Sequence, residues 1–162
     1  MYKRQGEAQP EADPAPSPAF RLPLRNVTNA NILNYLTQER KLSPSLVNFF
    51  IAAGDIYEDA AHHNVVFVGR DADGHPRYAS SRGIREKFRQ DAAGAEKAFG
   101  FAHRGTDKQL LVFEAPIDLL SFIELFPNPT AACVAVLQFI RLRLHHGNFS
   151  FFLGSLSNSR SL

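Results

Sequence analysis

Apolar residues recur at helical spacing early in the chain, where Ile32, Leu33, Tyr35 and Leu36 form one face and Asn29 is available as a cap. Arg40-Lys41-Leu42-Ser43-Pro44 reads as a helix stop followed by a new start, with Ser43 at the N-cap and Pro44 at the first helical position. Leu46, Val47, Phe49, Phe50 and Ile51 continue that second helix, and Gly54 is placed to close it in a left-handed C-cap. From Ile56 the period drops to two. Asn64-Val65-Val66-Phe67-Val68-Gly69 predicts a strand, Asp73-Gly74 the tip of a turn, and Arg77-Tyr78-Ala79-Ser80 the returning strand of a hairpin. Residues 83–94 are irregular and basic, and residues 98–103 predict a further strand. Gln109-Leu110-Leu111-Val112-Phe113 has the continuous apolar character of a strand buried on both faces. Glu114-Ala115-Pro116 breaks it, and residues 117–125 follow as a helix with Leu119, Leu120, Phe122 and Ile123 inward. Residues 131–144 read as a helix. The expected fold is α+β: an N-terminal helix pair packed on a hairpin-containing sheet, followed by a β–α unit.

A length of 162 residues fits one domain, or one domain with part of a second. Hydrophobic residues make up 44% and charged residues 21%, enough to bury a core. No apolar run approaches the roughly 20 residues that span a bilayer, and the basic start has no apolar segment behind it, so the expectation is a cytoplasmic protein with no membrane partner. A lone Cys133 excludes a disulfide framework and a cysteine-built zinc cluster; it reads as a small apolar residue. Net charge is +2, but every acid lies at or before Glu124, whereas Arg141, Arg143 and Arg160 follow it. Bulk electrostatics therefore makes no strong case for nucleic acid, and only a local patch could. Four stretches are expected: a Pro-rich disordered lead-in over residues 1–19, a first domain over 20–106, a short second unit over 107–126, and an atypical tail over 127–162 that is either native or the product of truncation or frameshift.

Chemistry concentrates where the apolar strand ends. Glu114 would stand at the carboxyl end of a strand, the place where open α/β sheets bind ligands, and Asp118 in the first turn of the next helix. A carboxylate there suits phosphodiester chemistry, holding Mg²⁺ or moving a proton at a phosphate-bearing oxygen. The plainer alternative is that Glu114 caps the helix and Asp118 favours its dipole. Upstream, Arg77, Arg82, Arg85, Lys87, Arg89, Lys97 and Arg104 outnumber Glu86, Asp91 and Glu96 and are interleaved with Tyr78, Phe88 and Phe99. They could track a nucleic-acid backbone and stack a base, or form a solvated mixed-charge surface over a core of aromatics. His62-His63 reads as loop or strand-start histidines, because neighbours in a strand face opposite ways and cannot chelate one ion. Gly94, Gly100 and Gly105 match no phosphate-binding loop.

At Leu110-Leu111-Val112-Phe113-Glu114 and Asp118 the sequence resembles the first motif of the TOPRIM domain of bacterial primases, topoisomerases and related nucleases, with Ala115 where that motif usually has Gly. Residues 36–122 also resemble the domain of unknown function that precedes a TOPRIM-like domain in primase-like proteins of plasmids and conjugative elements. The matching segments are Tyr35-Leu36 with Arg40-Lys41-Leu42-Ser43, Tyr57-Glu58, residues 62–69, Pro76-Arg77-Tyr78-Ala79, Arg82-Gly83, Lys87-Phe88-Arg89-Gln90-Asp91, Gly94 and Phe99-Gly100-Phe101. The resemblance implies a fragment of a DNA primase-like protein acting in replication or transfer. It further implies Glu114 and Asp118 as catalytic acids with Glu114 on Mg²⁺, and Arg77, Arg82, Lys87 and Arg89 on nucleic acid, with single-stranded DNA and replication or conjugation proteins as partners. Two departures matter: no Asp-x-Asp strand follows Glu114, and no Cys pair could build a primase zinc module. The chain as written is therefore expected to be inactive. The rival expectations are a non-catalytic nucleic-acid-binding or protein-docking module, and a structural remnant unstable alone.

Overall fold

Ser43 illustrates how closely local chemistry is obeyed at the start of the fold: its side chain accepts from Leu46 N–H, Pro44 follows at the first helical position, and the helix ends at Gly54 with φ 76°. This is α2, Pro44–Ala53. The structure, a computed structural model, describes residues 19–135. Before α2, helix α1 (Ala30–Asn34) runs on into a π-helical turn, Tyr35–Glu39. The chain then forms β1 (Ile56–Glu58), β2 (Val65–Arg70), β3 (Pro76–Arg82) and β4 (Arg89–Asp91), an antiparallel sheet in that order. A second sheet follows from β5 (Phe101–His103), β6 (Leu110–Phe113) and β7 (Ala132–Ala135), with helix α3 (Pro116–Leu125) crossing between β6 and β7. The fold is α+β, as the pattern implied.

The expected hairpin is β2–β3, with Phe67 opposite Ser80 and Val68 opposite Ala79. At its tip Asp71 Oδ1 accepts from the N–H groups of Asp73 and His75, and Gly74 takes φ 86°. Three expectations need correcting. The basic stretch contains a strand, since β4 adds to the end of β3 with Arg89 opposite Arg82; one polar segment can pair because the ladder uses backbone groups. Residues 132–135, read as helical, form β7, parallel to β6 and antiparallel to β5, where non-local pairing overrides the helix preference of alanine. The rest of that expected helix, the tail beyond residue 135 and the lead-in up to residue 18 lie outside the described residues. Third, β6 is covered on one face alone: it flanks the described sheet with Leu110 and Val112 exposed, while Leu111 and Phe113 pack on the core.

One core joins these layers. Phe101 of β5 lies 5.3 Å, ring centroid to centroid, from both Phe50 of α2 and Phe67 of β2, so a single ring touches the helix pair and both sheets. Ile32, Leu36 and Val47 close the cluster on the helical side and Leu119, Leu120 and Ile123 of α3 on the other. The sheets meet so closely that a Cβ on Gly69 would sit 1.6 Å from the Phe99 carbonyl oxygen, which only glycine accommodates. A smaller cluster of Tyr57, Val66, Val68 and Ala79 lies under Phe20 and Leu22. There the Tyr57 hydroxyl donates to Pro23 O at 2.7 Å, and burial, against the opposing pull of Arg25, pushes its pKa up to about 12.

Asn29 was expected to cap α1 and does not. Its Oδ1 accepts from Glu58 N–H at 2.9 Å instead, and the fully buried Glu58 carboxylate takes the cap. Oε2 receives the N–H groups of Asn31 (3.0 Å) and Ile32 (3.3 Å), while Oε1 receives the Asn26 and Asn31 amides (2.7 and 2.8 Å) and lies 2.6 Å from His63 Nδ1. Burial works to raise the Glu58 pKa, but the donors from Asn31, His63, Asn26 and Ile32 outweigh it and hold the value below its usual 4.5. Next to it Asp59 accepts from the N–H groups of Ala61, His62 and Asn64 and so shapes the β1–β2 turn.

Because the folded-state pKa of Glu58 is depressed, its contribution is complete above about pH 4.5 and is lost as pH falls through the lower folded value. Glu58→Gln is expected to cost about 2–4 kcal/mol at pH 7, since an amide turns N–H donors toward donors in a buried site. Urea unfolding of both proteins between pH 3 and 7 should show a smaller acid-side loss in the variant; equal slopes would refute the assignment.

Candidate nucleic-acid interface

Arg82 ends β3 and Arg89 begins β4 directly opposite, a like-charged cross-strand pair that the sheet tolerates because both side chains reach open space. Two adjoining cavities share them. One, about 430 Å³, is lined by Tyr35, Glu39 and Arg40 of the π-helical turn and its exit, and by residues 82–89. Arg40, Arg82, Arg85, Lys87 and Arg89 give it five cationic side chains against the carboxylates of Glu39 and Glu86. The other, about 270 Å³, is lined by Phe67, Ser80, Ser81, Arg82, Arg89, Gln90, Asp91 and Pro116. Pro116 opens α3 and lines this second cavity, two residues after Glu114, which lines neither.

Glu114 is exposed at the carboxyl end of β6, where the alternation of strand and helix predicted it. It does not cap α3: the N-cap position is Ala115 and no side chain bonds there. Asp118 is exposed in the first turn, favourable to the helix dipole. Among the described residues no third carboxylate, imidazole or thiol groups with these two at ligand distance. Magnesium would have to complete its oxygen shell from water and a bound phosphate, so the residues present do not build a magnesium site by themselves.

Of the four cations singled out from the sequence, Arg82, Lys87 and Arg89 line the groove and Arg77 does not. Arg77 lies five residues along β3, roughly 17 Å away at strand rise. Its guanidinium bonds Glu96 at 2.7 and 2.9 Å and stacks 5.5 Å from the Phe99 centroid. Tyr78 is core, its hydroxyl donating to Asp91 Oδ1 at 2.7 Å, and burial and that carboxylate push its pKa up. Phe88, half-buried, remains as a groove aromatic. His63 serves Glu58, and Cys133 is buried in β7, where burial pushes its thiol pKa up.

Two groove residues escaped the sequence reading. Arg40 looked like a helix stop and Tyr35 like core, yet Arg40 Nε donates to the Tyr35 hydroxyl at 2.8 Å and Arg82 Nε to the same oxygen at 3.2 Å. At 3.6 residues per turn, positions five apart do not share a face, so the pattern held no signal for this contact. The π-helical turn supplies it, with Arg40 N–H bonded to Tyr35 O. Asp71, Asp73 and His75 also gather side-chain ligand atoms within 4.8 Å of one another, but at the hairpin tip, where Asp71 is engaged by the turn's own N–H groups.

Residues 34–107 match the family described as protein of unknown function (DUF3991). Among solved structures, the chain is similar to the DnaG primase catalytic domain bound to ssDNA, at 15% identity over 67% of this chain and 49% of that one, TM-score 0.45. It is also similar to the primase fragment of the bacteriophage T7 primase-helicase protein, at 21% identity over 73% of this chain and 50% of that one, TM-score 0.46. The DnaG catalytic core gives 16%, 64%, 46% and 0.44 for the same quantities. The chain spans about half the length of these structures. No curated protein matches it.

The absence of a cap bond at Glu114 has a measurable consequence. Glu114→Gln should leave stability within about 0.5 kcal/mol, while Asp118→Asn should cost about 0.3–1 kcal/mol through the helix dipole. Chemical denaturation decides: a loss of about 1 kcal/mol or more at Glu114 would return it to a capping role.

Proposed function

We propose that this chain is the part of a primase-like, TOPRIM-containing protein of a plasmid or conjugative element that holds single-stranded DNA during replication or transfer. The observation that carries the reading is the groove itself: five cations against two carboxylates, next to a second cavity that shares Arg82 and Arg89 and reaches Pro116 at the start of α3. A phosphodiester backbone is the polyanion such a surface suits, and releasing its counterions drives binding without regard to sequence. Phe88 adds a face on which a base can stack. The match of residues 34–107 to a family of unknown function supports the reading, because it falls on the segment where the resemblance to primase-associated sequences lies. No described helix is long and apolar enough to cross a membrane.

In the intact protein Glu114 would hold or move a proton at a phosphate oxygen, or share a magnesium ion with that phosphate, and Asp118 would support it. This chain carries no acid beyond Glu124 and so lacks the Asp-x-Asp partner that such chemistry requires. That lack favours a second reading for the chain alone, a binding module without catalysis.

Anisotropy of a labelled oligo(dT) across a salt series tests the groove. Arg82→Ala, Lys87→Ala and Arg89→Ala should each weaken binding and flatten the log–log salt slope by about 0.7, the value for one single-strand phosphate contact. Arg77→Ala, whose side chain is spent on Glu96, should leave the slope unchanged. Unaltered binding in all three groove variants would sink the proposal. With Mg²⁺, template and nucleoside triphosphates the chain should yield no primer, and a product abolished by Glu114→Gln would overturn the non-catalytic reading.

A further inference from the structure

Tyr35 is 5% exposed, yet its hydroxyl reaches the cationic cavity and accepts from two guanidinium groups at once. A phenolic hydroxyl both accepts and donates. With Arg40 Nε and Arg82 Nε on the oxygen, its own O–H is left to donate. Both arginines are engaged through Nε, and their terminal amines have no hydrogen-bond or ion-pair partner among the described residues. The Arg40 guanidinium also lies 5.3 Å from the Tyr35 ring centroid. Two guanidinium groups tied to one neutral oxygen repel each other, an arrangement that a purely structural role would relieve with a carboxylate. It depends on a π-helical turn, a local departure from α-helix that often accompanies function.

Resting on the reading of the groove as a single-strand site, we propose that Tyr35 is a positioning residue for phosphate. Its hydroxyl locks the two side chains through Nε so that their amine pairs, and its own proton, meet one phosphate group of the bound strand. The geometry of a planar guanidinium makes this role sensitive to orientation, beyond charge.

Tyr35→Phe keeps the ring and removes the lock. Oligo(dT) affinity should fall roughly ten- to a hundred-fold, the scale of a hydrogen bond involving a charged partner. In an Arg40→Ala/Arg82→Ala background the same change should cost several-fold less than in the wild type, because the residue acts mainly through those two arginines. Arg40→Lys, which retains charge without the Nε geometry, should reproduce the Tyr35→Phe loss and guards against a misfolded variant. Inorganic pyrophosphate as a second probe identifies the phosphate: loss confined to oligo(dT) assigns the strand backbone, and loss for both shows that a free diphosphate also enters. If Arg82→Ala weakens binding while Tyr35→Phe does not, the groove stands and this inference fails. If the wild-type chain binds no strand, the groove reading falls and takes the inference with it.

Discussion

A carboxylate withdrawn from water stays ionised only when several donors replace the lost hydration, and Glu58 meets that condition with donors from four residues. The constraint reaches beyond one side chain. It ties the N-terminus of α1 to β1, brings His63 onto the β1–β2 turn, and orients Asn26 ahead of the helix. The first turn of α1 is aimed by this cluster, and Tyr35 and Arg40 follow along the same helical path. The cationic groove, far from Glu58 in chemistry, depends on it for direction.

The second constraint is the seam between the sheets. Phe101 packs on Phe67 and Phe50, and the β2 backbone passes Phe99 at a separation that permits no side chain on Gly69. α3 buries Leu119, Leu120 and Ile123 in the same core, and Glu124 reaches back to accept from Ser43 N–H and Oγ, both at 2.8 Å. The start of α3 is thereby held beside the β3–β4 edge. The β3–β4 edge of one sheet and the first residue of α3 become neighbours because both are anchored to one core.

The chemical character of the site follows from what is paired and what is not. Arg77 is neutralised by Glu96 and Arg70 by Asp55, so they hold the fold. Arg82 and Arg40 lean on the Tyr35 phenol, and among the described residues their amines have no partner. Glu114 and Asp118 are exposed around the start of α3, with no third ligand group beside them among the described residues.

Most of the local architecture was legible. The hairpin, the Ser43-Pro44 start and the Gly54 stop rest on turn, cap and backbone preferences contained in a few adjacent residues, and Glu114 at a strand end follows from the break at Pro116. What adjacency does not encode was missed. Alanine-rich β7 is a strand because two other strands flank it, β6 is half exposed because it flanks the sheet, and Asn29 surrendered its cap to a carboxylate 29 residues away. Sequence alone determined the helix pair, the hairpin, the β6–α3 unit and which charges are available, since those are properties of short windows. Only the tertiary structure decided that Arg82, Lys87 and Arg89 share a cavity with Tyr35 and Arg40 while Arg77 does not, because side-chain convergence depends on how distant segments pack.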